Sequence, residues 1–310
     1  MTNELRPDGP DLQPDLADFA SDEGGSEDVS HMLPAVRELP EDRAFLPGAY
    51  YAVTLEGIPT GTAPRTLGSV LGRELFASLS DIRVFGRNAA AEPLVEVGPD
   101  NNEPAELVVG MELFPETATP PEESEFGMFD MVAGRISKKL GRAKKPPAET
   151  VEAAVARGQK LAALKGKFGA VQRLFLRGNF DAAQITDAAL SIGLKRDSGG
   201  FAWMGGRPQA MFKVRAEGLQ LAPNAQGKTA AIEFSFMPAR VPQPKKVLER
   251  MATCANYFIK RLGGTLTDAA NKPAPATIIQ GEDPELAKSI QEITAAGLRP
   301  GHPITARLAP

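Results

Sequence analysis

The stretch APNAQGKTAA, residues 222 to 231, ends in Gly227-Lys228-Thr229, the triplet with which a phosphate-binding loop holds a nucleotide. In such a loop, backbone N–H groups and the first turn of a following helix carry the phosphates. Ala222 stands where the first glycine of the motif belongs, and the residues after Thr229 alternate as a strand does. No nucleotide site is expected there. The lone thiol, Cys254, lies within the apolar pattern of a helix and reads as a small buried hydrophobe; without a second cysteine there is no disulfide. His31 and His302 sit in an acidic N-terminal stretch and a Pro/Gly-containing terminal one, without the partners that a zinc site needs. Carboxylates are plentiful, but none is set beside a histidine for acid–base work, and no Gly-x-Ser-x-Gly elbow occurs. Neither catalysis nor a cofactor or metal is expected.

The 310 residues carry a formal net charge of −4, with a sequence pI of 5.5. That balance lacks the basic footprint of a nucleic-acid-binding protein. No window approaches the ~18 apolar residues of a membrane span, and the first residues lack the basic-then-apolar layout of a secretory signal. Read as it stands, the chain is expected in the cytosol, a reducing compartment that its single cysteine also fits.

What positions any site must be read from the elements. Residues 1 to 43, acidic and rich in Pro, Gly and Ser, offer little to bury and are expected to be a disordered acidic tail. From Tyr50 the pattern is strand (YYAVTLEG), helix (TAPRTLGSVLGRELFASL), a hairpin (DIRVFGR, PLVEVG), a longer strand (AELVVGMELFP) and a helix (ESEFGMFDMVAGRISKKLGR) with Phe129, Val132, Ile136 and Leu140 on one face. From Phe168 the order repeats: GAVQRLFLRG, DAAQITDAALSIGL, GGFAWMGG, AMFKVRAEG, TAAIEFSFMP, and a helix placing Val247, Met251, Cys254, Phe258 and Leu262 together. The strand-ending prolines precede the helix-ending leucines by nearly the same distance, Pro115 to Leu140 and Pro238 to Leu262.

The expected fold is therefore α+β: tandem copies of an antiparallel sheet with helices on one face. The first copy spans 44–166, including a linker helix over Ala148–Leu164, and the second spans 167–310. Gly141 and the Gly263-Gly264 pair are expected as left-handed helix caps, with Lys139, Arg142, Lys260 and Arg261 as charges favouring the helix C-termini. TLTD reads as a last strand, and Asp283 with Pro284 as the start of a last helix. In AAIEFSFMP, Ile232, Phe234 and Phe236 alternate with Ala231, Glu233 and Ser235; periodicity leaves open which set faces the helices and which the solvent or a partner. Phe201 and Trp203 pose the same question.

LFLRG, DAALSIGL, FAWM, AMFKV, IEFSFMP and ANYFIKRLGGTLTDAANKPA together resemble the C-terminal, FtsZ-binding domain of the ZipA cell-division family, over about residues 168 to 300. With a further domain before it, the layout resembles the ZipA-like proteins of beta-proteobacteria. The resemblance implies a split β-α-β unit, a six-stranded antiparallel sheet over three helices. It also implies a non-enzymatic adaptor that binds the C-terminal tail of FtsZ in a shallow apolar groove and supports septal ring assembly at the cytoplasmic side of the inner membrane. Carried over by position, the groove would be lined by Val171, Gly199, Arg215, Glu217 and Phe234, with Gly199 and Glu217 standing where the family has large apolar side chains. The family's N-terminal membrane anchor has no visible counterpart in this sequence. The first copy lacks an aromatic-rich equivalent of IEFSF and is expected to act as a scaffold. A different reading is a regulatory module holding a small molecule between the copies, with apolar residues such as Met111 and Phe236 facing each other.

Overall fold

The long strand of the first half, ELVVGME, is a continuous buried run and that of the second, AAIEFSF, alternates, and in a computed structural model of the chain each lies inside its own antiparallel sheet. The structure describes residues 32–57, 65–73, 76, 81–116, 119–222 and 225–310. The first half runs β1 (Tyr50–Glu56), α1 (Leu67–Leu71), β2 (Ile82–Arg87), β3 (Val95–Glu96), β4 (Glu106–Glu112), α2 (Glu123–Leu140), β5 (Ala143–Lys144) and α3 (Val151–Ala162). The second runs β6 (Gln172–Asp181), α4 (Ala182–Ser191), β7 (Lys195–Asp197), β8 (Gly200–Trp203), β9 (Phe212–Ala216), β10 (Lys228–Phe236), α5 (Pro244–Leu262), β11 (Thr265–Thr267), α6 (Pro284–Ala295) and α7 (Pro303–Leu308).

The strand orders are β3-β2-β4-β1-β5 and β11-β6-β10-β9-β8-β7. Read backwards, the second places β10, β6 and β11 where the first has β4, β1 and β5, but the hairpin is threaded the other way. β2, the earlier strand, lies beside β4, whereas β9, the later one, lies beside β10, so the repeat covers the order of elements and not the full topology. The second sheet adds one edge strand, β7, which forms a hairpin with β8. Lys228 and Thr229 of the phosphate-loop-like triplet start β10, and no helix follows them.

In the second half, Leu174, Leu176, Val214, Phe201, Ile232 and Phe234 project to the helix side, where they meet Val247, Met251, Cys254 and Phe258 of α5. Asp181 and Asp283 cap α4 and α6, accepting from Ala183 N at 2.9 Å and Leu286 N at 2.8 Å. The Gly263-Gly264 pair has positive φ as expected, but Gly263, at φ 75° and ψ −166°, lies outside the left-handed helical basin that Gly141 adopts in the first half. At Gly264 the cause is proximity as well: a Cβ there would lie 2.6 Å from the Arg177 carbonyl oxygen of β6.

Several expectations are corrected. Residues 32 to 43 of the expected tail are ordered: Leu33 and Val36 are buried in the second core, and Pro40–Arg43 form a 3-10 turn. Two apolar anchors and the Asp42–Arg207 ion pair at 2.9 Å supply what composition alone did not reveal. Residues 1–31 lie outside the described residues, as does most of the first predicted helix beyond Gly72. The linker helix runs from Val151 to Ala162, shorter than expected, because Thr150 caps it by accepting from Ala153 N; Glu149 lies before it and pairs with Arg157. Ala154 and Leu161 place this helix in the first core. Arg142 is no surface capping charge. It is fully buried, donating to Glu103 at 3.0 Å and to the carbonyls of Pro104 and Ala105, while Arg65 holds the other Glu103 oxygen at 2.8 Å.

The boundary at 166/167 separates the sheets but not the cores. Ile293, Leu298, Ile304 and Leu308 enter the first core from the far end of the chain, just as Leu33 and Val36 enter the second from the near end. The two halves are clasped by reciprocal straps.

Candidate peptide-binding face

β6 reads Arg173-Leu174-Phe175-Leu176-Arg177, and a strand must put its leucines on one side and Arg173, Phe175 and Arg177 on the other. The leucines are buried under the helices. Register then carries the opposite face across the sheet in rows. Lys195 pairs with Ala202, Ala202 with Lys213, Ser235 with both Lys213 and Arg173. In the next row Arg215 pairs with Glu233, Glu233 with Phe175, and Phe175 with Thr267. A third row runs from Ala231 through Arg177 to Thr265.

Charge dominates this face. Glu233 lies 3.5 Å from Arg173, Glu217 lies 3.0 Å from Arg177, and Asp197 lies 2.7 Å from Lys213. The Lys213 ammonium holds the Asp197 carboxyl below the usual carboxylate range. With these acids matched, Lys195 and Arg215 leave the face with two cations in excess. Arg177 also lies over the Phe175 ring, 4.7 Å from its centroid. At one end the first row opens into a cleft of about 1100 Å³, whose opposite wall is the C-terminal strap. Val171 and Met204 line it from the sheet side, and Arg240, Pro303 and Ala306 from the strap side.

Of the residues expected to line an apolar groove, Val171 (37 % exposed), Arg215 and Glu217 lie on this face, and exposed Gly199, at φ 76°, turns the β7–β8 hairpin at its margin. Phe234 does not belong with them. It is fully buried, pairs with Val214 on the helix side of β10 and meets the Phe258 ring of α5. One residue of register separates Phe234 from Glu233, and in a strand one residue changes the face. The open surface is thus a charged field with small apolar spots, not an aromatic groove. The residues missed, Arg173, Phe175, Lys213 and Glu233, were readable from the Arg/Leu alternation of β6, the one strand whose pattern decides the question.

The face of the first sheet opposite α2 is occupied. Phe45, Tyr50 and Phe85 cluster there, with Phe85 edge-on to the other two, and His302 lies 6.3 Å from Tyr50 between ring centroids. Buried Glu112 is gripped by Arg83 at 3.3 Å and by Arg307 of the C-terminal strap. Met111 lies in the first core, so it and Phe236 do not face each other across the halves. Cys254 is fully buried, and burial pushes its thiol up, away from reactivity. Among the described residues no helix is long and apolar enough to cross a membrane.

Comparison of the sequence with protein-family models and with curated proteins finds no match.

Proposed function

We propose that this chain is a non-enzymatic adaptor of the bacterial division septum, whose second half takes up the C-terminal tail of FtsZ on the open face of its six-stranded sheet. The observation that carries this reading is the sheet: helices cover one face, and the other presents three cross-strand rows beside a cleft. Its six antiparallel strands are the number that the resemblance of LFLRG, IEFSFMP and YFIKRLGGTLTD to the ZipA family implies. The tail would be held by charge-assisted hydrogen bonds from Arg215, Lys213 and Lys195, with Val171, Phe175 and Met204 as apolar contacts. The cleft continues the first row of the open face, from Lys195 and Lys213 to Val171, which suits an extended segment as its occupant. The first half, its corresponding face covered by Phe45 and the C-terminal strap, serves as scaffold.

Cosedimentation with FtsZ filaments tests the reading. The full chain is expected to pellet with intact filaments and to remain in the supernatant with filaments whose C-terminal tail is deleted. Equal pelleting with both would place the contact elsewhere on FtsZ, and no pelleting with either would remove FtsZ as the partner.

A further inference from the structure

The first 31 residues carry nine carboxylates against a single arginine, Arg6, and their middle repeats Pro-Asp-Leu, at residues 10–12 and 14–16, before Asp18 and Phe19. We propose that this acidic segment docks in cis on the open face and cleft of the second sheet, and so competes with any partner peptide. The inference rests on the reading of that face as a peptide-docking surface.

Three observations carry it. The first is where the described chain begins. Leu33 and Val36 are buried in the second core, and Ala35 lies beside Gly206, whose Cβ would sit 3.2 Å from its own. Asp42 then fixes the strap to Arg207. Gly206 and Arg207 belong to the β8–β9 loop, and Met204, Pro208 and Met211 of that loop line the cleft. The segment is therefore tethered at the rim of the site.

The second is reach. Phe19 is 13 residues from Met32, and an extended chain spans up to ~3.3–3.6 Å per residue, so Phe19 can travel about 45 Å from the tether. Six strands at ~4.8 Å spacing measure about 24 Å across. Leu12, Leu16 and Phe19 can all come within reach of Val171, Phe175 and Met204.

The third is charge. The open face holds two cations beyond its acids, and on the other walls of the cleft Arg240 is balanced by Glu116. Asp11, Asp15 and Asp18 alternate with the three apolar residues and match that field. Tethering of this kind gives an effective concentration on the order of 1 mM, so even an intrinsic affinity of ~0.1 mM would weaken a competing peptide about tenfold.

The test compares the full chain with a variant carrying Asp11→Asn, Asp15→Asn, Asp18→Asn and Asp22→Asn, each titrated with a fluorescein-labelled peptide of residues 4–28. The neutralised variant is expected to bind the peptide at least tenfold more tightly than the native chain. That binding should weaken with salt and vanish when Lys213→Glu and Arg215→Glu are added at unchanged thermal stability. Equal binding to both chains, no binding to the neutralised variant, or binding indifferent to the charge reversals would overturn the proposal. An FtsZ tail peptide titrated in parallel separates the two claims. If it fails on the neutralised chain while the 4–28 peptide binds, the septal reading falls and cis docking stands; if it binds both chains equally, cis docking falls.

Discussion

The rings of Phe234 and Phe258 meet edge-on, 5.3 Å apart at an interplanar angle of 88°, between β10 and α5. This contact fixes the inside of the second half, and with it the outside. Phe234→Ala is expected to cost about 3 to 5 kcal/mol in chemical denaturation and to leave the peptide affinity of the folded fraction unchanged. A folded, fully stable variant that no longer bound peptide would reverse the assignment of the two faces.

Much of this was legible in the sequence because periodicity and punctuation agree. The repeated order of strands, the capped helices at Asp181 and Asp283, and the turns at Gly141 and Gly263 all follow from local patterns. The pattern of β10 by itself does not say which of its sides meets the helices; the Arg/Leu alternation of β6 does, once register aligns the two strands. IEFSF places aromatic residues on one side and small or acidic ones on the other, and either could have been inward. The answer came from register, which sets Glu233 between Arg215 and Phe175. The straps were illegible for a different reason: Leu33, Val36 and Ile304 are isolated apolar residues in polar or Pro-rich stretches, and only tertiary contacts turn them into anchors.

Arg142 and Glu103 form a fully desolvated pair between α2 and the strand β4 region. Arg142→Met would leave Glu103 with only the half-buried Arg65. The expected loss is about 3 kcal/mol, and adding Glu103→Gln should recover part of it. A double-mutant cycle by denaturant unfolding checks this; strict additivity would mean that the two groups are not coupled.

The C-terminal strap carries a pH dependence. His302 is buried, its Nδ1 accepts from Ile304 N at 3.3 Å, and burial together with Arg307 and Arg299 lowers its pKa from 6.5 to about 4. Between those values the unfolded chain binds a proton that the folded chain does not, so stability falls as pH falls through the window, by about 3 kcal/mol in all. His302→Asn keeps an N-cap acceptor without the titration. Its unfolding free energy should depend less on pH between 6.5 and 4 than that of the parent; identical profiles would contradict this role.

The two glycines after α5 differ in kind. Gly263 has open space where a Cβ would stand, but at φ 75° and ψ −166° it occupies a region essentially reserved for glycine, so Gly263→Ala should cost about 1 to 3 kcal/mol from backbone strain alone. Gly264→Ala would drive a methyl group against the Arg177 carbonyl and the Phe180 ring, and its loss should be clearly larger. Thermal unfolding of the two variants ranks them directly.

The measurement that tests the central claim most directly is a fluorescence anisotropy titration of a labelled FtsZ C-terminal peptide against the full chain and its Lys213→Glu/Arg215→Glu variant, at low and physiological salt. The account predicts saturable binding to the native chain that weakens with salt, and at least a tenfold loss in the variant at unchanged stability. Undiminished binding by the variant, or none by the native chain at either salt, would contradict it.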